Sequence, residues 1–275
     1  MRDIVMKTGS RSTIEITALA GSLGARIDGI DLNQLINDDE MKSLRSAFLE
    51  HCVLVFPEQD ITPEAHVAFA ARWGELHMMP MGQVEGHPYV IVVDAAGSKA
   101  GRTDTWHTDV SFQEKPPMGS FLLARMLPDN GGDTMFANQY LAYESLTPAM
   151  RHLLDGLKAL HTGAAFARLA GVDESAAPSA VHPVVRIHPE TGRRALYVNA
   201  VFTSRFEGMT VEESRPLLHW LYAHCSQPNL TFRHRWHKGD LVLWDNRCVQ
   251  HYAIHDYGEE NRVMHRVTVV GDRPS

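Results

Sequence analysis

The stretch Trp106-His107-Thr108-Asp109-Val110-Ser111-Phe112 places an imidazole and a carboxylate two residues apart. If the stretch is an extended strand, residues i and i+2 project to one face, so His107 and Asp109 project together and Thr108 points away. An imidazole and a carboxylate are two of the three ligands of a two-histidine, one-carboxylate iron(II) site. The chain has 16 histidines, so His-x-Asp alone is a weak signal, and a second histidine must come from a distant part of the chain.

A second candidate ligand stands near the C-terminus, in the stretch Trp244-Asp245-Asn246-Arg247-Cys248-Val249-Gln250-His251-Tyr252. His251 follows an apolar run that predicts a buried strand, a position from which a barrel can direct a side chain inward. Taken alone, His251 is better explained as an ordinary hydrogen-bonded histidine than as a metal ligand.

Two arginines share one face of the last predicted strand. If residues 262–269 are extended, Arg262 and Arg266 lie on the face of Met264 and Thr268, and the opposite face is mostly apolar. Burying a guanidinium costs on the order of several kcal/mol unless an anion meets it. Four strand residues span about 13 Å, which leaves room for two anionic groups on one wall. The alternative is an outer sheet face covered by salt bridges.

The candidate metal ligands and the two arginines are chemically compatible with one another. Three protein ligands leave three positions on iron(II), and the 2-oxo acid end of a dicarboxylate can chelate two of them. An arginine can hold the far carboxylate bidentately. The third position is then left for O2.

The chain resembles the iron(II)/2-oxoglutarate-dependent dioxygenases, specifically the taurine dioxygenase and 2,4-dichlorophenoxyacetate dioxygenase family. The resemblance rests on His107-x-Asp109, His251, and Arg262 with ten residues intervening. Four further stretches support it: Gly131-Gly132-Asp133-Thr134, His182-Pro183-Val184-Val185-Arg186, Trp244-Asp245-Asn246-Arg247 and Met264-His265-Arg266. It extends over nearly the whole chain, from about residue 14 to residue 274.

The resemblance implies a mainly β fold with flanking helices, a double-stranded β-helix (jelly roll), in a single domain over residues 1–275. It also implies roles for individual residues: iron(II) ligands His107, Asp109 and His251; 2-oxoglutarate ligands Thr134 and Arg262; substrate contacts Arg266, Met79, Phe112 and Phe202. The implied reaction converts 2-oxoglutarate and O2 to succinate and CO2 and hydroxylates a substrate carbon. A product hydroxylated at a carbon that bears a sulfonate, sulfate ester or aryl ether then falls apart.

The chain departs from the taurine dioxygenase pattern at three positions. Taurine dioxygenases proper place a histidine and a tyrosine where this chain has Met79 and Gly82, and an asparagine where it has Thr103. The groups that suit a small zwitterion are thus replaced, while Arg266 is retained. We therefore expect a substrate with one anionic end and an apolar body: an alkyl sulfate, an apolar sulfonate or an aryloxy carboxylate.

Four alternatives remain. A taurine dioxygenase proper would need the departures to be compensated elsewhere. A halogenase on the same fold would need the carboxylate position to be vacant, but Asp109 is present. A non-catalytic metal- or anion-binding jelly-roll protein would not need the three ligands together with Arg262. A nucleic-acid demethylase is disfavoured by the net charge of −7 (26 basic minus 33 acidic residues) and the absence of a basic run.

Composition predicts a cytoplasmic protein without nucleic-acid or membrane partners. Hydrophobic residues make up 44% and charged residues 21% of the chain, as in ordinary globular domains. No apolar stretch approaches the length needed to span a bilayer, and residues 1–12 lack the apolar segment of a signal peptide. The cysteines Cys52, Cys225 and Cys248 are odd in number and show no zinc or disulfide spacing. The family resemblance is compatible with a homodimer or a homotetramer.

Periodicity and turn signals predict the secondary structure. Helices are expected at about residues 37–51, 63–74, 140–146, 148–156 and 210–225. Strands are expected at about residues 14–16, 25–27, 52–56, 90–93, 119–126, 134–137, 184–188, 194–199, 231–236, 241–244 and 263–270. Residues 163–180 are rich in Ala, Ser and Gly, and they are either a mobile lid or an irregular surface loop.

Overall fold

Two sheets that face each other form the centre of the protein. The structure is a computed structural model that describes residues 14–78, 82–94, 104–169 and 171–275. Its strands are β1 (Glu15–Ala18), β2 (Ala25–Asp28), β3 (Val53–Phe56), β4 (Gln83–Val84), β5 (His87–Asp94), β6 (Gly119–Met126), β7 (Thr134–Asn138), β8 (Lys158–Thr162), β9 (Ser179–Pro183), β10 (Val185–Ile187), β11 (Arg194–Leu196), β12 (Thr203–Phe206), β13 (Thr231–His234), β14 (Leu241–Asp245), β15 (Val249–Ala253) and β16 (Val263–Val269).

The described residues form six α-helices that flank the sheets: α1 (Asp38–His51), α2 (Pro63–Ala71), α3 (Gln139–Glu144), α4 (Pro148–Leu154), α5 (Ala164–Leu169) and α6 (Val211–Cys225). Local sequence explains where most of them begin. Asn37 and Thr210 form capping boxes with the glutamates three residues later, Glu40 and Glu213. Thr62 accepts a hydrogen bond from the third residue of α2, whose first residue is a proline.

The larger sheet has eight strands in the order β1-β2-β3-β14-β6-β16-β5-β4. Its central strands send alternate side chains into two separate cores. In β3, Leu54 and Phe56 enter a core under α1 and α2, whereas Val53 and Val55 enter a core on the opposite face. This double burial explains the continuous apolar run, because a strand covered on both faces has no solvent-facing positions.

The smaller sheet has the order β13-β7-β15 and covers the second face of the larger one. The two sheets meet through large rings, with the centroids of Phe136 on β7 and Trp244 on β14 5.7 Å apart. A three-stranded sheet β12-β8-β9 and a hairpin β10-β11 pack with α6 around a third core. The fold is therefore mainly β with helices on its surface.

Most predicted elements are present, with bounds that differ by a few residues. The structure corrects the prediction at β4, β8, β9, β12 and β15, which were not predicted. Residues 163–180 contain α5 and a 3-10 helix (Glu174–Ala176), so the described part of this segment is more regular than a loop. Within the described residues, no helix is both long and apolar enough to cross a membrane.

The stretch around His107 is not a strand. His107 forms an isolated β-bridge with His251, and the chain then turns over residues 109–112. Val110 has a positive φ of 36°, and its carbonyl accepts a hydrogen bond from the backbone N–H of Gln113. His107 and Asp109 therefore converge through a turn, not through the i, i+2 alternation of a strand.

Candidate active site

Three candidate metal ligands converge between the two sheets. His251 lies on β15, directly opposite Phe136 of β7, and its backbone exchanges two hydrogen bonds with that of His107. Asp109 reaches the same point from the turn that follows. The Nε2 atoms of His107 and His251 lie 4.0 and 3.8 Å from Oδ1 of Asp109. One ligand atom of each residue lies within 4.8 Å of the other two, and all three side chains are buried.

Hydrogen bonding fixes which atoms face a metal. Nδ1 of His107 lies 2.8 Å from the carbonyl oxygen of Thr105, which can only accept, so Nδ1 carries the proton and Nε2 is free to bind a metal. The ring of His251 packs 4.8 Å from that of Trp244, centroid to centroid. Its Nδ1 is buried without a hydrogen-bond partner among the described residues.

The second oxygen of Asp109 is held by two neighbours, Ser120 and Asn246, that were not among the predicted site residues. Oδ2 accepts a hydrogen bond from Ser120 Oγ at 2.7 Å and one from Asn246 Nδ2 at 3.4 Å. Oδ1 is left to face the histidines. Asn246 is itself fixed by Trp244, whose indole N–H donates to its Oδ1. The signal for Asn246 was present in the stretch Trp244-Asp245-Asn246-Arg247, whereas Ser120 lies inconspicuously inside β6.

The protonation states suit a divalent metal. Burial lowers the pKa of both histidines, that of His251 to about 3. Burial by itself would raise the pKa of Asp109, but the charge of Arg266 and the facing imidazoles hold it well below its usual range. At neutral pH the site offers two neutral imidazoles and one carboxylate, which is the form that metals bind. This donor set on one face fits iron(II).

Arg262 and Thr134 meet at a single tryptophan. The Arg262 guanidinium is buried, and its Nε donates to the carbonyl of Gly132. No carboxylate within the described residues forms an ion pair with it, and burial lowers its pKa. Thr134 begins β7, and its Oγ1 lies 3.0 Å from the indole Nε1 of Trp236. The centre of the Trp236 ring lies 5.8 Å from Cζ of Arg262. Trp236 is the last residue of a predicted strand, and nothing in the sequence indicated this contact.

Arg266 and Phe202 adjoin the metal ligands, and two further phenylalanines pack against Phe202. Nη1 of Arg266 lies 3.4 Å from Oδ1 of Asp109, and its Nε is buried without a partner in the described chain. The Phe202 ring lies 6.2 Å from that of His107. Phe112, Phe202 and Phe166 of α5 pack edge to face at centroid distances of 5.2–5.8 Å.

The structure thus brings together nearly all the predicted site residues and adds Phe166. Met79 and Thr103 lie outside the described residues. Gly82 is described, with a positive φ of 73°, and it offers no side chain to a substrate.

A second cluster, His188, Asp245 and Cys248, also has metal-like spacing. The donor atoms of His188 and Asp245 are already engaged. Nδ1 of His188 accepts backbone N–H bonds, so Nε2 carries the proton and donates to Asp245 at 3.1 Å. Arg247 bonds both oxygens of that carboxylate, at 2.8 and 2.7 Å. This cluster therefore stabilises the turn before β15 and is not a second metal site.

Comparison with known proteins identifies similar chains. The model of the family described as taurine catabolism dioxygenase TauD, TfdA family matches residues 15–268. The alpha-ketoglutarate-dependent sulfate ester dioxygenase of Pseudomonas putida is 34% identical over 276 residues, covering 95% of this chain and 91% of that protein. An alkylsulfatase of Acinetobacter baylyi is 33% identical, covering 94% and 86%. The crystal structure of a taurine dioxygenase from Burkholderia xenovorans has a TM-score of 0.85 at 36% identity, covering 95% and 92%.

Proposed function

This chain belongs to the TauD/TfdA family of 2-oxoglutarate-dependent dioxygenases, and we propose that it hydroxylates a small organic anion with an apolar body. The observation that carries this proposal is the arginine beside an aromatic wall at the metal ligands. Arg266 supplies one positive charge, and Phe112, Phe166 and Phe202 supply apolar surface. Alkyl sulfates are our first choice, because relatives include a sulfate ester dioxygenase and an alkylsulfatase. Apolar sulfonates and aryloxy carboxylates follow.

His107, Asp109 and His251 would hold the metal. When bound, iron(II) with 2-oxoglutarate and O2 supplies the hydroxylating oxidant, and 2-oxoglutarate leaves as succinate and CO2. Neighbouring residues of this chain orient the metal ligands for that chemistry. The Thr105 carbonyl orients the His107 ring, and Ser120 holds one oxygen of Asp109 away from the metal position.

Arg262 and Thr134 would bind the far carboxylate of 2-oxoglutarate. A buried guanidinium without an ion-pair partner in the described chain is costly unless an anion meets it. A bidentate bond to a carboxylate would satisfy that requirement. The Thr134 hydroxyl would add a third donor.

Arg266 would hold the acidic group of the substrate through donors that protein groups leave free. Its Nη1 faces Asp109, whereas its Nε is buried and unpaired within the described residues. The aromatic wall would then place an alkyl or aryl carbon near the metal and exclude water. With a sulfate ester, hydroxylation at the carbon bonded to the ester oxygen gives a product whose C–O bond breaks, releasing an aldehyde and sulfate.

We also propose a fold type, a lid and a cellular location for this protein. The two facing sheets support describing the fold as a double-stranded β-helix, in a single domain with residues 163–180 as a lid over the aromatic wall. A cytoplasmic location is supported by Cys52, Cys225 and Cys248, which are buried as free thiols. A homodimer or homotetramer and the lack of nucleic-acid partners remain expectations from the sequence.

The test is succinate release from 2-oxoglutarate with iron(II), ascorbate and O2, across alkyl sulfates, alkyl sulfonates, phenoxy carboxylates and taurine. We expect strong release with an apolar acid, little with taurine, and none from Asp109→Ala with any substrate. Taurine turnover as efficient as that of the best apolar acid would refute the proposed substrate class. Aldehyde and sulfate measured in a one-to-one ratio with succinate would establish the cleavage for alkyl sulfates.

A further inference from the structure

We propose that Trp236 is a positioning residue for 2-oxoglutarate, because one indole orients both groups that would bind its far carboxylate. The inference rests on the proposed function of Arg262 and Thr134. Trp236 is buried in the core between the two sheets, just after β13. Its ring packs edge to face against His234 with centroids 4.7 Å apart, which limits its rotation.

The indole N–H determines how the Thr134 hydroxyl points. An indole nitrogen can only donate, so Thr134 Oγ1 accepts the 3.0 Å bond from Trp236. The hydroxyl hydrogen of Thr134 is then free to be donated to an anion. The backbone of Thr134 is held on both sides, by pairing with His234 of β13 and Ala253 of β15. Of its polar groups, only the hydroxyl can rotate, and the indole removes that freedom.

The indole face determines where the Arg262 guanidinium lies. Cζ of Arg262 is 5.8 Å from the Trp236 ring centre, within the range of a cation–π contact. The Nε of Arg262 also donates a 3.2 Å hydrogen bond to the Gly132 carbonyl. Asp133, whose charge acts on Arg262, is itself paired with Arg233 at 2.7 Å. No acidic side chain in the described chain forms an ion pair with this arginine, so the ring orients the guanidinium without neutralising its charge. An incoming carboxylate therefore meets an arginine that is both placed and unpaired.

The two contributions of Trp236 can be separated by substitution. Trp236→Phe keeps an aromatic face for Arg262 and removes the N–H that orients Thr134. Trp236→Leu removes both, and Trp236→His keeps a ring N–H on a smaller ring. The matched control is Trp73→Phe, because Trp73 is also buried but its Nε1 has no hydrogen-bond partner in the described structure. Trp73 lies in the core on the opposite face of the larger sheet.

The experiment measures binding of 2-oxoglutarate and of its analogue N-oxalylglycine to the Mn(II)-loaded protein without O2, by calorimetry. We expect Trp236→Phe to weaken both on the order of tenfold, Trp236→Leu to weaken them further, and Trp236→His to bind better than Trp236→Phe. Trp73→Phe should bind as the wild type does. Mn(II) affinity without the ligand should stay unchanged in every variant, which a general loss of structure would not allow.

A double-mutant cycle gives the sharpest readout. Thr134→Val removes the acceptor of the indole N–H, so adding Trp236→Phe to it should cause little further loss of binding. In turnover, Trp236→Phe should raise the KM for 2-oxoglutarate and leave kcat nearly unchanged. Wild-type binding by Trp236→Phe, or losses that simply multiply in the double variant, would overturn the inference. Failure of the wild type to bind either ligand would overturn the proposed function itself.

Discussion

Nη1 of Arg266 lies 3.4 Å from Oδ1 of Asp109, so the arginine predicted to bind substrate also contacts a metal ligand. Its charge is among the causes that hold the pKa of that carboxyl well below its usual range. One guanidinium can thus keep the ligand ionised and receive the anionic end of a substrate. Arg262 lies just before β16, which begins at Val263 and has a register shift between Val263 and Met264, and it has no such contact among the described residues.

Replacing Arg266 and Arg262 one at a time should separate substrate binding from cosubstrate binding. Arg266→Gln should lower kcat/KM for the anionic substrate about 100-fold, as expected for loss of a charged hydrogen bond. The KM for 2-oxoglutarate should change little. Arg262→Gln should raise the KM for 2-oxoglutarate and change kcat/KM for the anionic substrate little when 2-oxoglutarate is saturating. Steady-state kinetics with each ligand varied in turn provide the check, and identical effects of the two variants on both ligands would contradict the assignment.

Removing the positive charge of Arg266 should also strengthen metal binding. A cation 3.4 Å from the Asp109 oxygen repels a divalent ion that binds there. We expect Arg266→Gln to bind Mn(II) more tightly than the wild type, whereas Arg266→Lys should bind it similarly. Metal titration without substrate measures this. Weaker metal binding by Arg266→Gln would show that the arginine mainly shapes the site.

Ser120→Ala should weaken metal binding about tenfold, because Asp109 loses the 2.7 Å bond that orients its carboxylate. Ser214 is a matched control, since it is also fully buried and hydrogen-bonded, but on α6, where it donates to the Thr210 carbonyl. Ser214→Ala should reduce thermal stability without changing Mn(II) affinity. Equal metal affinities in the two variants would show that Ser120 does not contribute to metal binding.

Gly132→Ala should raise the KM for 2-oxoglutarate, in addition to the loss of thermal stability that any side chain causes at this backbone conformation. The new Cβ would lie 3.1 Å from Cδ and 3.2 Å from Nε of Arg262, so the guanidinium must shift. Gly132 also has a φ of +71°, which disfavours any side chain. Gly208→Ala is the control, because its φ of +79° carries the same strain with nothing within 4 Å of the added carbon. Thermal melts and 2-oxoglutarate kinetics of both variants separate the two effects.

Phe166→Ala should change which substrates are preferred. Phe166 packs against Phe112 and Phe202, so its removal opens the aromatic wall at α5. We expect kcat/KM to fall most for short alkyl sulfates, which need the full wall, and least for long ones that can fill the space. The control is Phe232→Ala, on β13 and away from these rings. It should change kcat/KM by the same factor for alkyl sulfates of every chain length. An unchanged chain-length profile in Phe166→Ala would exclude this residue from the substrate wall.

Much of the fold follows from local sequence. The run from Val53 to Phe56 is apolar because both of its faces are buried, and the helix starts at Asn37, Thr62 and Thr210 follow from their side-chain caps. The strands that prediction missed lack such a pattern. In β15 the buried positions include Gln250 and His251, which no hydrophobic period reveals. In β8 and β12 the pairing is between distant segments, and polar residues alternate irregularly.

The sequence by itself determined the chemistry: two histidines, one carboxylate and two arginines at spacings that match the family. It could not determine how they meet. His107 and Asp109 converge because the chain bridges to His251 and then turns at Val110, a route that long-range backbone pairing dictates. The contact of Arg266 with Asp109, the anchoring of Asp109 by Ser120, and the position of Trp236 between Thr134 and Arg262 likewise join segments separated by 11 to 157 residues. Only the packing of two sheets brings such segments within hydrogen-bond distance, because local periodicity contains no information about which faces will meet.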